Sequence, residues 1–155
     1  MASTHTFKVT CSWNGSTGVG YEAYERSHTG VTDPPTTTIE LSGAPEFSGD
    51  PALANPEQLL VLAASSCQLL SFLAVAARAR LDVRAYEDDA TGEMPEDRAP
   101  MWITRIVLRP RITVVEGPTE QRLRHLCEVA HRECFIANSL KTEVLVEPTF
   151  TFVAA

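Results

Sequence analysis

The sequence predicts a mixed fold of strands and two helices in the order βββαββαβ, organised around one very hydrophobic helix. Three observations carry this. Phe7, Val9, Cys11 and Trp13 alternate with polar residues at the period of a strand. Between Leu59 and about Ala79 there is no Gly or Pro, and Leu, Val, Ala and Phe fall on every face, the pattern of a helix buried all round. From Trp102 to Val115 the residues Ile103, Ile106, Val107, Leu108, Ile112, Val114 and Val115 crowd together as they do in strands. A chain of 155 residues suits one domain with a real core.

The N-terminal alternation, the turn residues Asn14 to Gly18 and a return over Val19 to Arg26 predict a hairpin. Asp33-Pro34-Pro35 forces a break, Thr36 to Leu41 has the β-branched content of a third strand, and the Gly, Pro and Asp of Ser42 to Ala54 make a loop. Asn55-Pro56-Glu57-Gln58 announces a helix: Asn caps free amides, Pro suits the first turn, and Gln three residues on completes a capping box. About 20 apolar residues would also cross a bilayer, but Ser65, Ser66, Gln68 and Ser71 cluster at the middle of this helix and argue against a membrane span. A helix of roughly 35 Å covered on all sides exceeds what one small domain can wrap, so a second copy is expected to share the work in an intertwined homodimer.

Val83 to Ala90 reads as the next strand, and the charges between Glu87 and Arg98 as a solvated hairpin tip. Pro110 interrupts the following run and predicts an edge or a bulge there. Gly117-Pro118-Thr119-Glu120 opens a second helix, whose Leu123, Leu126, Cys127, Ala130 and Cys134 share one face. Cys134 is thereby expected to point inward, toward the first helix. Thr142 to Val146 and Phe150 to Val153 close the chain as strands.

Thirteen basic against twenty acidic residues leave a net charge of −7, a field that repels phosphate backbones and anionic lipid, so no nucleic acid and no membrane partner is expected. The opening residues carry no basic segment followed by an apolar one, and a cytoplasmic location is expected. In that reducing compartment Cys11, Cys67, Cys127 and Cys134 start as thiols, and a disulfide among them is transient and catalytic rather than structural. Cys67 lies mid-helix among Ser65, Ser66 and Gln68, polar neighbours that an inert packing thiol does not require. A buried thiol needs a nearby cation to act as a nucleophile at neutral pH. Cys127, His131 and Cys134 stand at i, i+4 and i+7, a spacing open to zinc, although no fourth ligand is near in sequence. Otherwise His131 is expected to support the helix or Cys134 by hydrogen bonding, and Cys11 and Cys127 to be core thiols.

Four blocks, Asn55-Pro56-Glu57-Gln58-Leu59-Leu60, Ser65-Ser66-Cys67, Arg109-Pro110 and Ala130-His131-Arg132-Glu133-Cys134-Phe135-Ile136-Ala137-Asn138-Ser139-Leu140, resemble the osmotically inducible protein C and organic hydroperoxide resistance family over nearly the whole chain. The resemblance implies an α+β, OsmC-like fold, with antiparallel sheets around a long buried central helix, and an intertwined homodimer with two interfacial sites. It implies a cysteine peroxidase that needs no cofactor and no metal. Cys67 matches the family's peroxidatic cysteine, Cys134 its resolving cysteine and Glu57 the carboxylate at the helix start. Tyr21 to His28 resembles the segment that carries a family arginine, which makes Arg26 the candidate cation.

Glu57 and Cys67 are ten residues apart, roughly 15 Å of rise and about 280° of rotation on one helix, so Arg26 and Glu57 are expected to reach Cys67 from the partner subunit. The implied reaction reduces organic hydroperoxides, alkyl or lipid species before hydrogen peroxide. It passes through a Cys67 sulfenic acid and a Cys67–Cys134 disulfide, reset by an external dithiol such as a lipoyl or thioredoxin-like protein. Phe135 to Ser139 resembles the general branch of the family rather than the Pro-containing segment of the dedicated organic hydroperoxide enzymes. A protein of this fold that binds a lipid-like ligand without turnover is the alternative of a different class.

Overall fold

The computed structural model describes residues 3–155, which divide into two compact units, residues 3–59 and Leu60–Ala155. The first unit holds an antiparallel sheet in the order β1 (Lys8–Ser12), β2 (His28–Asp33), β3 (Thr37–Leu41). Lys8 pairs with Asp33 and Thr32 with Thr37, so Asp33-Pro34-Pro35 forms the β2–β3 turn.

The return strand expected over Val19–Arg26 lies instead at His28–Asp33. The intervening segment is held as a compact loop by its own side chains. Gly20 takes a φ of 96°, which a side chain would strain. The Trp13 indole donates to the Glu25 carbonyl at 2.7 Å, and Trp13 and Tyr21 both pack edge-on to Tyr24. Cys11 is exposed on β1, so the expectation of a core thiol there is corrected: β1 has no covering layer.

At the end of this unit the capping box forms as the sequence predicts. The Gln58 amide donates to Asn55 Oδ1 at 2.9 Å, and the Asn55 amide to Gln58 Oε1 at 3.1 Å. This starts α1 (Pro56–Arg78), which closes with Arg80 left-handed and the Leu81 amide donating to the Ala76 carbonyl at 2.9 Å.

The second unit carries most of α1, two mixed three-stranded sheets and two further helices. One sheet has the order β4 (Val83–Asp88), β7 (Pro110–Val115), β9 (Thr149–Val153); the other β5 (Thr91–Glu93), β6 (Arg105–Leu108), β8 (Glu143–Val146). The β4–β7 and β5–β6 pairs are antiparallel, while β6–β8 and β7–β9 are parallel. Pro110, itself fully buried, is the first residue of β7, and the apolar run breaks just before it because β6 and β7 belong to different sheets.

The helices are α2 (Glu120–Glu133), capped by Thr119 Oγ1 accepting from the Arg122 amide, and α3 (Phe135–Ser139). Phe72, Val75 and Ala76 of α1 pack with Leu123, Cys127 and Ala130 of α2 over Ile112 and Val114 of β7. One turn and more toward the N-terminus, Ala64 packs with Ile103, Ile106, Leu108 and Val144, flanked by Ile136, Ala137 and Leu140. Gly92 lets β5 come close to α1 here, since a Cβ on it would lie 2.7 Å from Val61 Cγ2.

Within one chain α1 is not buried all round. Ala64, Gln68, Phe72, Val75 and Ala76 are covered, whereas Leu62 and Leu70 are more than half exposed. The chain's own layers cover one side of the helix, and its apolar character on the other side is left without cover. By length and composition α1 could cross a bilayer, but two of its mid-helix polar groups are engaged in the fold. Ser65 Oγ donates to Asp88 at 2.5 Å, and Gln68 Nε2 to the Cys127 carbonyl at 3.3 Å. Asp88 is therefore a tie between α1 and β4, not part of a solvated tip; it also accepts from the Arg109 amide at 2.6 Å.

Candidate active site

Cys67 lies half-buried at the middle of α1, between the two cores. Cys134 was expected on the α2 stripe, but α2 ends at Glu133, and Cys134 adopts extended angles of φ −70° and ψ 109° before α3 begins. Asn138 stabilises this break. Its side-chain Nδ2 donates to the Arg132 carbonyl at 3.0 Å and the Cys134 carbonyl at 2.9 Å, serving acceptors that the helix end leaves open.

The break turns the Cys134 sulfur, 1% exposed, toward the first amides of α3. Cys67 and the Ile136 and Ala137 N–H groups all lie close enough to act on its titration. The Ile136 amide also donates to Cys67 Sγ at 3.5 Å. Burial pushes the Cys134 thiol up to about 11, opposed by the Ala137 amide, reinforced by Cys67 and opposed again by the Ile136 amide. Cys134 is thus a neutral thiol near pH 7, held beside a second sulfur and beside donors that favour its thiolate.

The other residues picked out in the sequence lie elsewhere. Cys127 is buried among aliphatic side chains, where desolvation raises its thiol to about 12. His131 lines a cleft of about 430 Å³ with Cys127, Arg124 and Arg132, and its Nδ1 is buried with no hydrogen-bond partner, so that atom does not support Cys134. Among the described residues no group of three or more His, Cys, Asp or Glu is placed to hold a metal ion. The zinc reading of Cys127, His131 and Cys134 is corrected accordingly: the helix break sends Cys134 to Cys67 instead.

In the first unit Arg26 donates from Nη1 to the Tyr24 carbonyl at 2.9 Å and from Nη2 to the Tyr21 carbonyl at 2.7 Å. Its guanidinium lies 4.0 Å from the Tyr24 ring centroid and 4.9 Å from that of Tyr21, a strong cation–π setting. The group edges a cavity of about 390 Å³ shared with Cys11, Trp13, Tyr24 and His28. Glu57 stands half-buried in the first turn of α1. Of the four candidate residues, Cys67 and Cys134 meet within one unit, while Arg26 and Glu57 belong to the other.

A family model described as OsmC-like protein matches residues 49–149, a span that holds Glu57, Cys67 and Cys134. The chain belongs to the OsmC-like family. An OsmC-like protein of unknown function from Vibrio cholerae has the same fold at a TM-score of 0.86 and 32% identity, covering 94% of this chain and 100% of that one. An organic hydroperoxide resistance protein OsmC from Legionella pneumophila superimposes at 0.71 with 16% identity over 97% of this chain and 99% of its own. One from Elizabethkingia anophelis superimposes at 0.69 with 18% identity over 99% and 100%. The uncharacterized protein YmaD of Bacillus subtilis is 21% identical over 143 residues, 90% of this chain and 89% of its own. The α+β OsmC-like fold is thereby established.

Several groups around the OsmC-like cysteine pair carried no signal in the sequence. The Ile136 and Ala137 amides are backbone and leave no residue signature. Asp88 was hidden in an acidic stretch, and Gln68 was legible only as a polar residue in an apolar helix. Tyr86 packs its ring 6.0 Å from Phe72, and its buried hydroxyl has no partner; desolvation raises its phenol strongly, with Asp88, Cys127 and Cys134 adding to the effect.

Proposed function

We propose that this OsmC-like protein is a cytoplasmic, thiol-dependent peroxidase that reduces organic hydroperoxides to alcohols. The observation that supports it most is the approach of the Cys67 thiol on α1 to the Cys134 thiol at the α2–α3 break, with the Ile136 amide donating to Cys67 Sγ. In the proposed cycle the Cys67 thiolate attacks the O–O bond of the hydroperoxide. The alcohol leaves as the sulfur is oxidised to sulfenic acid with uptake of one proton. Cys134 then displaces hydroxide from Cys67, its own proton goes to the departing oxygen as water, and a disulfide forms. An external dithiol, such as a lipoyl or thioredoxin-like protein, reduces the pair again.

Condensation needs Cα atoms within about 7 Å, a demand consistent with two thiols close enough to act on each other's titration. The cation that ionises Cys67 is Arg26 of a second subunit, oriented by that subunit's Glu57, with both units of each chain acting as one domain in an intertwined homodimer. The uncovered apolar side of α1, with Leu62 and Leu70, supports such a partner. The apolar helices around the cysteines favour alkyl over hydrogen peroxide.

Peroxide consumption with a dithiol tests the reading. Native protein is expected to consume cumene hydroperoxide faster than hydrogen peroxide, and Cys67→Ser to consume neither; equal rates in the two proteins contradict it. Mixing Arg26→Ala with Cys67→Ser, each inactive alone, restores about a quarter of native activity if sites are shared between subunits and statistical exchange gives half heterodimers with one intact site each. No restoration places Arg26 with the cysteine of its own chain.

A further inference from the structure

Gln68 follows Cys67 directly on α1 and is 1% exposed. Its Nε2 donates to the Cys127 carbonyl, 3.3 Å away, while its Oε1 is buried without a partner among the described residues. That carbonyl lies within α2, where the helix ladder already serves it. The amide therefore supplies a second donor to a satisfied acceptor and leaves its own acceptor bare. For stability alone an apolar side chain of the same shape would do as well or better. What the contact does achieve is geometric. It ties α1 to α2 one residue from the Cys67 sulfur and seven residues, about two turns, before Cys134.

We propose that Gln68 is a positioning residue that sets the register of α2 against α1, and so holds the Cys134 sulfur where it can resolve oxidised Cys67. The inference rests on the peroxidase reading for its place in the cycle. Gln68 acts on the second step, Cys67–SOH + HS–Cys134 → Cys67–S–S–Cys134 + H₂O, and not on the attack of Cys67 on peroxide. With the tie removed, α2 slides over α1, the effective concentration of one thiol at the other falls, and the sulfenic acid lives long enough to meet a second peroxide and become sulfinic acid.

The test uses the full-length protein, Gln68→Met, and Phe72→Leu as a control in the same packed face of α1. Each is equilibrated in oxidised and reduced glutathione, where protein(SH)₂ + GSSG gives the intramolecular disulfide and 2 GSH, and the Cys67–Cys134 bond is read by alkylation and mass. The equilibrium constant is expected to fall about tenfold in Gln68→Met, about 30 mV for this two-electron couple, and to change less than about twofold in Phe72→Leu. In a single turnover with cumene hydroperoxide, Gln68→Met is expected to form sulfenic acid at the native rate, condense about tenfold more slowly and accumulate sulfinic acid.

An unchanged equilibrium constant overturns the proposal, as does an equal fall in Phe72→Leu, which would mark a packing effect. The glutathione arm needs no peroxidase activity. A native protein that fails to react with hydroperoxide but shows the tenfold difference removes the peroxidase reading and keeps the positioning role. A native protein that forms no such bond in oxidised glutathione overturns both.

Discussion

The two halves of the second unit's interior treat sulfur in opposite ways. Toward the C-terminal half of α1, Cys127 is one apolar side chain among Phe72, Val75, Leu123 and Ile112, and burial drives its thiol up to about 12, opposed by Arg124 and reinforced by Glu128. A few residues along, Cys134 is as inaccessible, yet it sits at a helix break beside a second thiol and two amides; burial raises it to about 11, opposed by the amides and reinforced by Cys67. Burial is common to both. The difference is that one sulfur has amides and a second thiol beside it, and the other has neither. In the proposed cycle, reactivity follows the break between α2 and α3 rather than the depth of the thiol.

The largest consequence is kinetic. Cys134→Ser is expected to lower dithiol-dependent turnover of cumene hydroperoxide about a hundredfold while leaving the first oxidation of Cys67 within a few-fold of native. Cys127→Ala should leave turnover within about threefold, since that thiol meets no reacting group. Turnover that falls equally in both erases the distinction between the two cores.

A smaller effect is expected in stability against pH. Both thiols have folded values above the ordinary value near 9, so the folded state keeps protons that the unfolded chain releases. The stabilisation is complete below pH 9 and is lost as pH rises toward 11 and 12. Unfolding by urea should show a decline on the order of 4 kcal/mol between pH 9 and 11, about half of it from each thiol. Cys127→Ala should remove its share of that decline; a curve of unchanged slope would remove Cys127 as a source of it.

Smaller still, Ser65→Ala deletes the hydroxyl that donates to Asp88 and should cost about 1 kcal/mol of unfolding free energy. That contact joins α1 to β4 two residues before Cys67, so the loss should be accompanied by faster amide exchange in β4; exchange confined to native rates there would contradict the tie.

What was legible in the sequence was what local chemistry decides. Asn55 and Gln58 close the capping box in place, and Leu123, Cys127 and Ala130 bury the α2 stripe that their spacing prescribes. Features that depend on distant partners were not legible. The second strand came later than its alternation suggested, because the loop before it is set by the aromatic packing of Trp13, Tyr21 and Tyr24 and by the Arg26 guanidinium binding two tyrosine carbonyls. The end of α2 was missed because Glu133-Cys134-Phe135 contains neither Gly nor Pro; the stop is made by Asn138, four residues on. The parallel pairs β6–β8 and β7–β9 join segments that no periodicity connects. Of the site itself, the two cysteines were readable by type and order, while the amides and Gln68 that frame them follow from the turn of the chain.

The most direct measurement is to treat the reduced protein with one equivalent of cumene hydroperoxide, block free thiols, and map the cysteine peptides by mass. The account predicts one new bond, between Cys67 and Cys134, with Cys11 and Cys127 still alkylated and the bond reversed by a dithiol. Four free thiols after peroxide exposure, or a bond that pairs Cys67 with Cys127 or Cys11, would contradict it.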